Sequence, residues 1–371
     1  METFRLLLNS KGTLPQDNQF YKNAIIDIEY FSVSAQIYYS LKQDGRLHQT
    51  PPFFQDQLRR NYEKVLYQNM FLKNQTDKVL DLFEAKGIDV IPLKGIKFAE
   101  KYFGNIGARA TSDIDLLIKP DHVQKALECI QPLGFEMEEA PIPGHFHCSL
   151  SKKIPHSMIP LTIELHWDIL RKDTAQLKIE DFWSQALSVG TSNHIWELSL
   201  YHTFYMICLH GWRHNLDSIK YFIDIMQVLT IAGPTLSYRT LFRDAIDHKT
   251  SKRLKRTLAI VYHEFPHLSS IKRFPYSSRK TYWNYDDIRY ERKTKKTYIN
   301  FFHYLFFSYD SVFHVVLEMT NWVFPSKYEL HATLGEAGIN RSAFMNYTYL
   351  YTKRMRSVFD AVFKRLKHRA S

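Results

Sequence analysis

The stretch Leu93–Lys119, LKGIKFAEKYFGNIGARATSDIDLLIK, decides the fold. Just ahead of it, Ile88 to Leu93 is short, apolar and β-branched, which predicts a strand. Lys94-Gly95 is then a tight turn, and Ile96 to Phe103 has helical spacing. Thr111 to Lys119 reads as a second strand. Side chains alternate across a strand, so Asp113 and Asp115 share one face about 7 Å apart while Ile114, Leu116 and Ile118 line the other. Two carboxylates so placed repel each other unless a cation such as Mg²⁺ joins them. By itself such a pair is more often a solvated strand face than a metal site. Its company changes the balance. Gly95 leaves backbone N–H groups at a strand-to-helix turn where a phosphate can bind, and Lys94 adds positive charge there. Arg109 and Ser112, just before Asp113, suit a phosphate clamp and a hydroxyl donor.

Outward from this stretch, Pro120-Asp121 caps a helix that runs through Val123, Ala126, Leu127 and Ile130 to a stop near Gly134. A loop rich in Pro, Gly and His follows. Leu161 to Leu170, LTIELHWDIL, then alternates as a third strand, with Thr162, Glu164, His166 and Asp168 on one face. Such a polar stripe could be an exposed edge, yet Glu164 is placed to be a third carboxylate. Two acids that hold metal and a third that orients or deprotonates an attacking hydroxyl are what two-metal phosphoryl chemistry requires. Upstream, Asn23 to Leu47 and Gln55 to Lys86 have helical periodicity, broken at Pro51-Pro52; beyond Glu197 the periodicity is helical almost to the end.

The chain has 371 residues, 45% hydrophobic and 15% aromatic, which excludes wholesale disorder and accommodates more than one core. Runs without charge stop short of the ~18 apolar residues of a membrane span. The opening METFRLLLNSKG is too short and too charged for a secretory signal, so the cytoplasm is the expected address. Cys129, Cys148 and Cys208 form no CxxC pair, which argues against a disulfide framework or a cysteine zinc site. The net charge of +11 resides in the C-terminal half: Ser251–Asn300 carries 13 basic and 4 acidic residues, and Tyr351–Ser371 seven and one. That charge could face a polyanion such as RNA or keep a helical surface soluble; on sequence alone the solvated surface is favoured.

The run from Leu93 to Lys119, with the later IELHW, resembles the nucleotidyltransferases of the DNA polymerase β superfamily. It is most similar to a bacterial "nucleotidyltransferase family protein" branch in which an LKG turn precedes R-x-x-x-DIDLL. A looser likeness extends to ICLHGWRHNLDSIKYFIDIMQVL, where His210 and Asp224 fall on helical positions of the family, and to FPSKYEL. The resemblance implies an α+β fold. Its parts are a helical N-terminal segment (1–87), a polymerase-β-like palm of small mixed sheet and flanking helices (88–190), and a larger helical C-terminal domain (191–371). It further implies Mg²⁺-dependent transfer of a nucleoside monophosphate from an NTP, with ATP the expected donor, and release of pyrophosphate. Asp113, Asp115 and Glu164 match the metal-binding and catalytic acids. Many superfamily members have a Gly-Ser turn where this chain has Lys94-Gly95-Ile96, so its grip on the triphosphate departs from the common pattern. Three functions compete: a transferase acting on a small molecule, peptide or protein, a toxin-like transferase acting on tRNA or other RNA, and a non-catalytic scaffold.

Weaker signals have plainer readings. His145, His147 and Cys148 lack the other half of a zinc set, and His210 and His214, at i and i+4, lack an acid motif, leaving structural or acceptor-side roles. Asp224, inside an apolar run, needs a buried partner, with His210 or Arg213 the nearest candidates. Phe301–Val323 is expected to be core helix rather than membrane contact. Met355–Arg369 is expected to pack Val358, Val362 and Leu366 against the domain.

Overall fold

The structure, a computed structural model, describes residues 1–138, 145–155, 157–276, 282–292, 294–325, 330, 334 and 342–363. Five strands form one sheet: β1 (Val90–Pro92), β2 (Asp113–Ile118), β3 (Glu136–Met137), β4 (His147–Lys152) and β5 (Leu161–His166), in the order β1-β2-β5-β4-β3. The sheet is mixed, for β2 and β5 are parallel while β1–β2, β5–β4 and β4–β3 are antiparallel. β3 and β4 lie where the sequence reads as loop. HCSLSK has few β-formers, and it is held by pairing on both sides, to β5 and to β3. The third strand ends at His166, four residues earlier than its alternation predicts.

Ahead of the sheet come α1 (Glu2–Leu8), α2 (Asn18–Tyr30), α3 (Ser34–Gln43) and the long α4 (Pro52–Ala85). The expected helix from Asn23 to Leu47 is divided at Ser32, whose φ of 54° no helix continues. After Lys94 comes the single turn α5 (Gly95–Phe98), which widens at Ala99–Phe103, and α6 (Val123–Ile130) follows β2. One sheet face places Ile114, Leu116, Ile163 and Leu165 against Val79, Leu80 and Phe83 of α4 and Ala126 and Ile130 of α6. These apolar stripes fit the periods of 2 and 3.6 that each element shows in sequence.

The C-terminal half supplies α7 (Ile179–Ser184), α8 (Leu200–Arg213), α9 (Ile219–Ala232), α10 (Tyr238–Asp247), α11 (Ser251–Glu264), α12 (Tyr285–Arg289), α13 (Lys295–Phe307) and α14 (Val312–Val323). α1 and α2 join its core rather than standing apart. Phe4 and Leu7 are fully buried in that cluster, Arg5 pairs with Glu264 at 2.6 Å, and Arg289 pairs with Asp27 at 2.6 Å. Phe301–Val323 departs from expectation: it is two helices, and of α13 and α14 only Phe306 and His314 are buried, with Phe307, Val312 and Phe313 exposed. Among the described residues no helix is long and apolar enough to cross a membrane. In the FPSKYEL segment 326–329, and in the closing stretch Leu366, lie outside the described residues.

The two halves are locked by one buried ion pair. Arg109, just before β2, donates from Nε and Nη2 to the two oxygens of Asp224 on α9, both at 2.8 Å. Asp224 is fully buried and Arg109 is 3% exposed. The partner of Asp224 thus comes from the sheet side and is neither His210 nor Arg213. Bidentate geometry makes such a pair strong once formed, but removing one member strands a buried charge. Asp224→Ala should therefore lose about 3–5 kcal/mol in urea denaturation, and Arg109→Met with Asp224→Leu should recover most of it. An Asp224→Ala chain within about 1 kcal/mol of wild type would mean that the pair does not hold the halves together.

Candidate active site

The parallel pairing of β2 with β5 sets the site. In register, Asp113 lies opposite Thr162, Asp115 opposite Glu164 and Leu117 opposite His166. Because neighbouring strands run about 4.8 Å apart, the carboxylates of Asp115 and Glu164 emerge side by side on the face turned away from α4. Their repulsion is offset by two nitrogens. Lys94 Nζ is 2.9 Å from Asp115 Oδ1, and His166 Nε2 lies 3.2 Å from the same oxygen and 3.1 Å from Glu164 Oε2.

Lys94 reaches this position because the Leu93 N–H donates to the Asp115 carbonyl at 3.0 Å, which ends β1 beside β2. The chain then turns at Gly95, whose φ is +72°, and a Cβ there would lie 3.3 Å from the Asp113 carbonyl and 3.4 Å from Thr111 Cγ2. Only glycine meets both conditions without strain. The helix after the bend is a single turn, so its dipole adds little and the positive charge of the bend belongs to Lys94. Ser112 is exposed and donates to Asp113 Oδ1 at 3.2 Å.

Charge and burial divide the acids. Burial, then the neighbouring charge of Asp115, pushes the Asp113 carboxyl above the ordinary range. Burial alone would do the same to Asp115, but the Lys94 ammonium and the His166 ring outweigh it and hold Asp115 well below that range. Glu164 is also lowered: the hydrogen bond with His166 overcomes the cost of burial. Asp115, Glu164 and His166 can each present a ligand atom within 4.8 Å of the others, whereas Asp113 stands outside that group. A set of two carboxylates and one imidazole fits a divalent cation.

The second wall comes from α8, α9 and their turn. His214 stacks on Tyr221 with centroids 4.9 Å apart and planes at 11°, and the Arg213 guanidinium lies 5.0 Å over the Phe146 ring. Lys220, near the start of α9, is pushed down to about 8, first by burial and then by Arg109, against the pull of Asp224 and Asp113. Burial, with Lys94 and His214 nearby, keeps His210 neutral. On the sheet side His147 stacks on His166 with centroids 4.9 Å apart, and burial followed by the His166 charge pushes it down to about 3. Cys148 faces the other way, into the apolar cluster under the sheet, so it does not join the histidines.

Of the residues singled out in the sequence, Lys94, Asp113, Asp115 and Glu164 therefore converge, with Ser112 at their edge. Arg109 lies beneath them, its fork occupied by Asp224. His166, placed on the polar stripe but given no role, and Lys220 were not legible as site residues. Lys220 comes from a helix about a hundred residues downstream and only the tertiary fold brings it near Asp113.

A family model described as an uncharacterised nucleotidyltransferase matches residues 28–266, well over half of the chain. The chain belongs to that family. The match includes α4, the sheet, and both helices of the second wall, so the acids and the residues facing them lie within it. Nucleotidyl transfer is thus the general chemistry of the family to which this site belongs. No curated protein and no solved structure matches the chain.

Burial keeps the His147 and His214 imidazoles uncharged, pushing His147 down to about 3 and His214 to about 4. A histidine disfavoured in its charged form stabilises the fold above its ordinary value near 6.5, and that stability drains away as pH falls toward 3–4. Long-range ¹H–¹⁵N spectra from pH 5 to 8 should accordingly show the His147 and His214 rings unmoved. A midpoint near 6.5 for either ring would contradict the burial assigned to it.

Proposed function

We propose that the protein transfers a nucleoside monophosphate from an NTP, with ATP the expected donor, to a hydroxyl of an acceptor and releases pyrophosphate. The observation that carries this reading is the register of Asp115 against Glu164 with Lys94 between strand and bend. Family membership supports the reaction class. The presence of every acid that the chemistry needs weighs against a bare scaffold.

Asp113, Asp115 and Glu164 are the groups that would hold Mg²⁺, with His166 beside them. When bound, the ions supply charge stabilisation to the reacting phosphate and acidify the attacking hydroxyl. The Lys94 ammonium neutralises Asp115 and is the nearest cation for an incoming triphosphate, and the exposed Ser112 hydroxyl can donate to a phosphate oxygen. Glu164, held ionised by its hydrogen bond with His166, is placed to take the proton from the acceptor hydroxyl. Arg109 acts from beneath: paired with Asp224 it contributes fixed geometry at the start of β2 and positive potential under Asp113, rather than a free clamp. Lys220 faces the same acid from the second wall. The acceptor on this reading is a small molecule, peptide or protein, and RNA is the alternative that the basic C-terminal half favours.

Incubation with each α-³²P-labelled NTP, Mg²⁺ and cell extract should label an acceptor. Asp113→Asn, Asp115→Asn and Glu164→Gln should each reduce labelling about a hundredfold or more while leaving the circular dichroism spectrum unchanged, since several kcal/mol of charge stabilisation rest on these groups. Folded variants that keep full turnover would refute the assignment.

A further inference from the structure

On the far side of the α8–α9 turn lies a second concave region of about 450 Å³, lined by α11 and α13 residues together with Tyr276 and Tyr282. Its polar walls are Lys252, Lys255, Arg256, Asn300 and His303, and among the described residues no carboxylate lines it. Arg256 is the unusual member. It is 8% exposed, donates from Nη2 to Asn215 Oδ1 at 2.6 Å and to Asn300 Oδ1 at 2.7 Å, and its Nη1 has no partner. Among the described residues no carboxylate lies within ion-pair distance of it. Burying a guanidinium without a counter-charge is costly, and in a low-dielectric wall its field reaches into the groove undiminished. Arg109, also buried, has its carboxylate; Arg256 has two amides and the Tyr304 ring, 5.5 Å from its guanidinium.

Aromatic rings accompany the charge. Tyr276, Tyr282 and Phe307 are 43%, 47% and 66% exposed. Tyr282, His303 and Phe307 form a tilted ladder, with centroids 5.7 and 6.3 Å apart and planes at 53° and 32°, and Lys255 Nζ lies 4.5 Å over the Tyr276 ring. A solvated basic surface needs neither open ring faces nor a buried unpaired arginine. Cations that track phosphates, interleaved with rings on which bases stack, are the two requirements for gripping a single strand.

We infer that this groove binds single-stranded nucleic acid, its phosphodiesters facing Lys252, Lys255 and Arg256 and its bases lying on the Tyr282–His303–Phe307 ladder. The turn after α8 joins the groove to the cleft: His214 belongs to the cleft wall, and Asn215 holds Arg256. The inference stands on the groove alone and does not depend on the metal reading. Should both hold, the strand is the acceptor's mode of attachment.

The test is fluorescence anisotropy of the full chain with a labelled 12-nucleotide oligouridylate between 50 and 200 mM KCl, with ATP and inorganic phosphate as competitors. Affinity should fall with salt with a logarithmic slope of about −1.4 to −2.1, as expected for two or three phosphate contacts on a single strand. Lys252→Ala with Lys255→Ala, both surface changes, should weaken binding about tenfold and flatten the slope, and Phe307→Ala should weaken it at least about fivefold. Asp115→Asn should bind as wild type does, which separates failure of this inference from failure of the catalytic one. Displacement by phosphate as effectively as by oligonucleotide, insensitivity to the lysine and Phe307 changes, or loss of binding in Asp115→Asn would each overturn it.

Discussion

Two parallel strands that place one carboxylate directly opposite another impose the constraint around which this molecule is built. Asp115 and Glu164 could have been separated by a one-residue slip, which would also turn Ile114 and Leu116 out of the core. The apolar stripe therefore enforces the acidic one, and the protein must supply positive charge to keep the pair ionised. It does so with a lysine held by the end of β1, and a histidine ring from the end of β5 adds a hydrogen-bonding nitrogen between the two acids. The glycine bend beside Lys94 fits the same demand, because the chain turns there at a φ of +72° with Asp113 of β2 and Thr111 of its approach close by. Stability and chemistry are thus not separate properties here. The arrangement that costs most on folding is the one able to take up a cation.

The ion pair of Arg109 with Asp224 extends this logic across the molecule. A buried pair contributes little net stability against an apolar substitute, but it fixes register because neither member tolerates another partner. By joining the start of β2 to the middle of α9, it sets where Lys220 and the His214–Tyr221 stack stand relative to the acids. The cleft has two walls from distant parts of the chain, and this bidentate contact helps align them, with Tyr102 bonded to Thr203 of α8 and accepting from Gln227 of α9. The burial of α1 and α2 in the C-terminal core closes the same body from the other side.

Much of this was legible in the sequence, for physical reasons that also mark the boundary of legibility. The strand carrying DIDLLI and the one carrying LTIELH declare themselves by alternation, and the LKG bend by the glycine that close approach requires. Local pattern could not reveal β3 and β4, whose polar sequence is a strand only because two neighbours pair with it. Nor could it find the partner of Asp224, since a buried acid in an apolar helix announces a need for a cation without saying which one. Candidates on the preceding helix were closer in sequence, yet the arginine came from 115 residues away. Lys220 was hidden for the same reason. Phe301–Val323 misled in the opposite direction, because aromatic content predicts a core helix while the fold leaves several of its rings on the surface.

Those exposed rings bear on how the positive charge of the chain is used. Its basic residues fall into two populations. Lys94 and Arg109 are matched to carboxylates, so they add local field to the cleft without leaving free charge. Lys252, Lys255 and Arg256 form no ion pair among the described residues, and they are three of the 13 basic residues that face only 4 acidic ones between Ser251 and Asn300. An unmatched cluster steers anions at a distance and is weakened by salt, whereas the matched pairs are short-range and buried beyond screening. Arg253, buried outright on the same helix, is covered by the Trp212 and Tyr309 rings, whereas Arg256 sits at the wall of an open groove. Burying Arg256 among asparagines and rings gives up part of its hydration, and an anion in the groove would supply the counter-charge that its own neighbours do not.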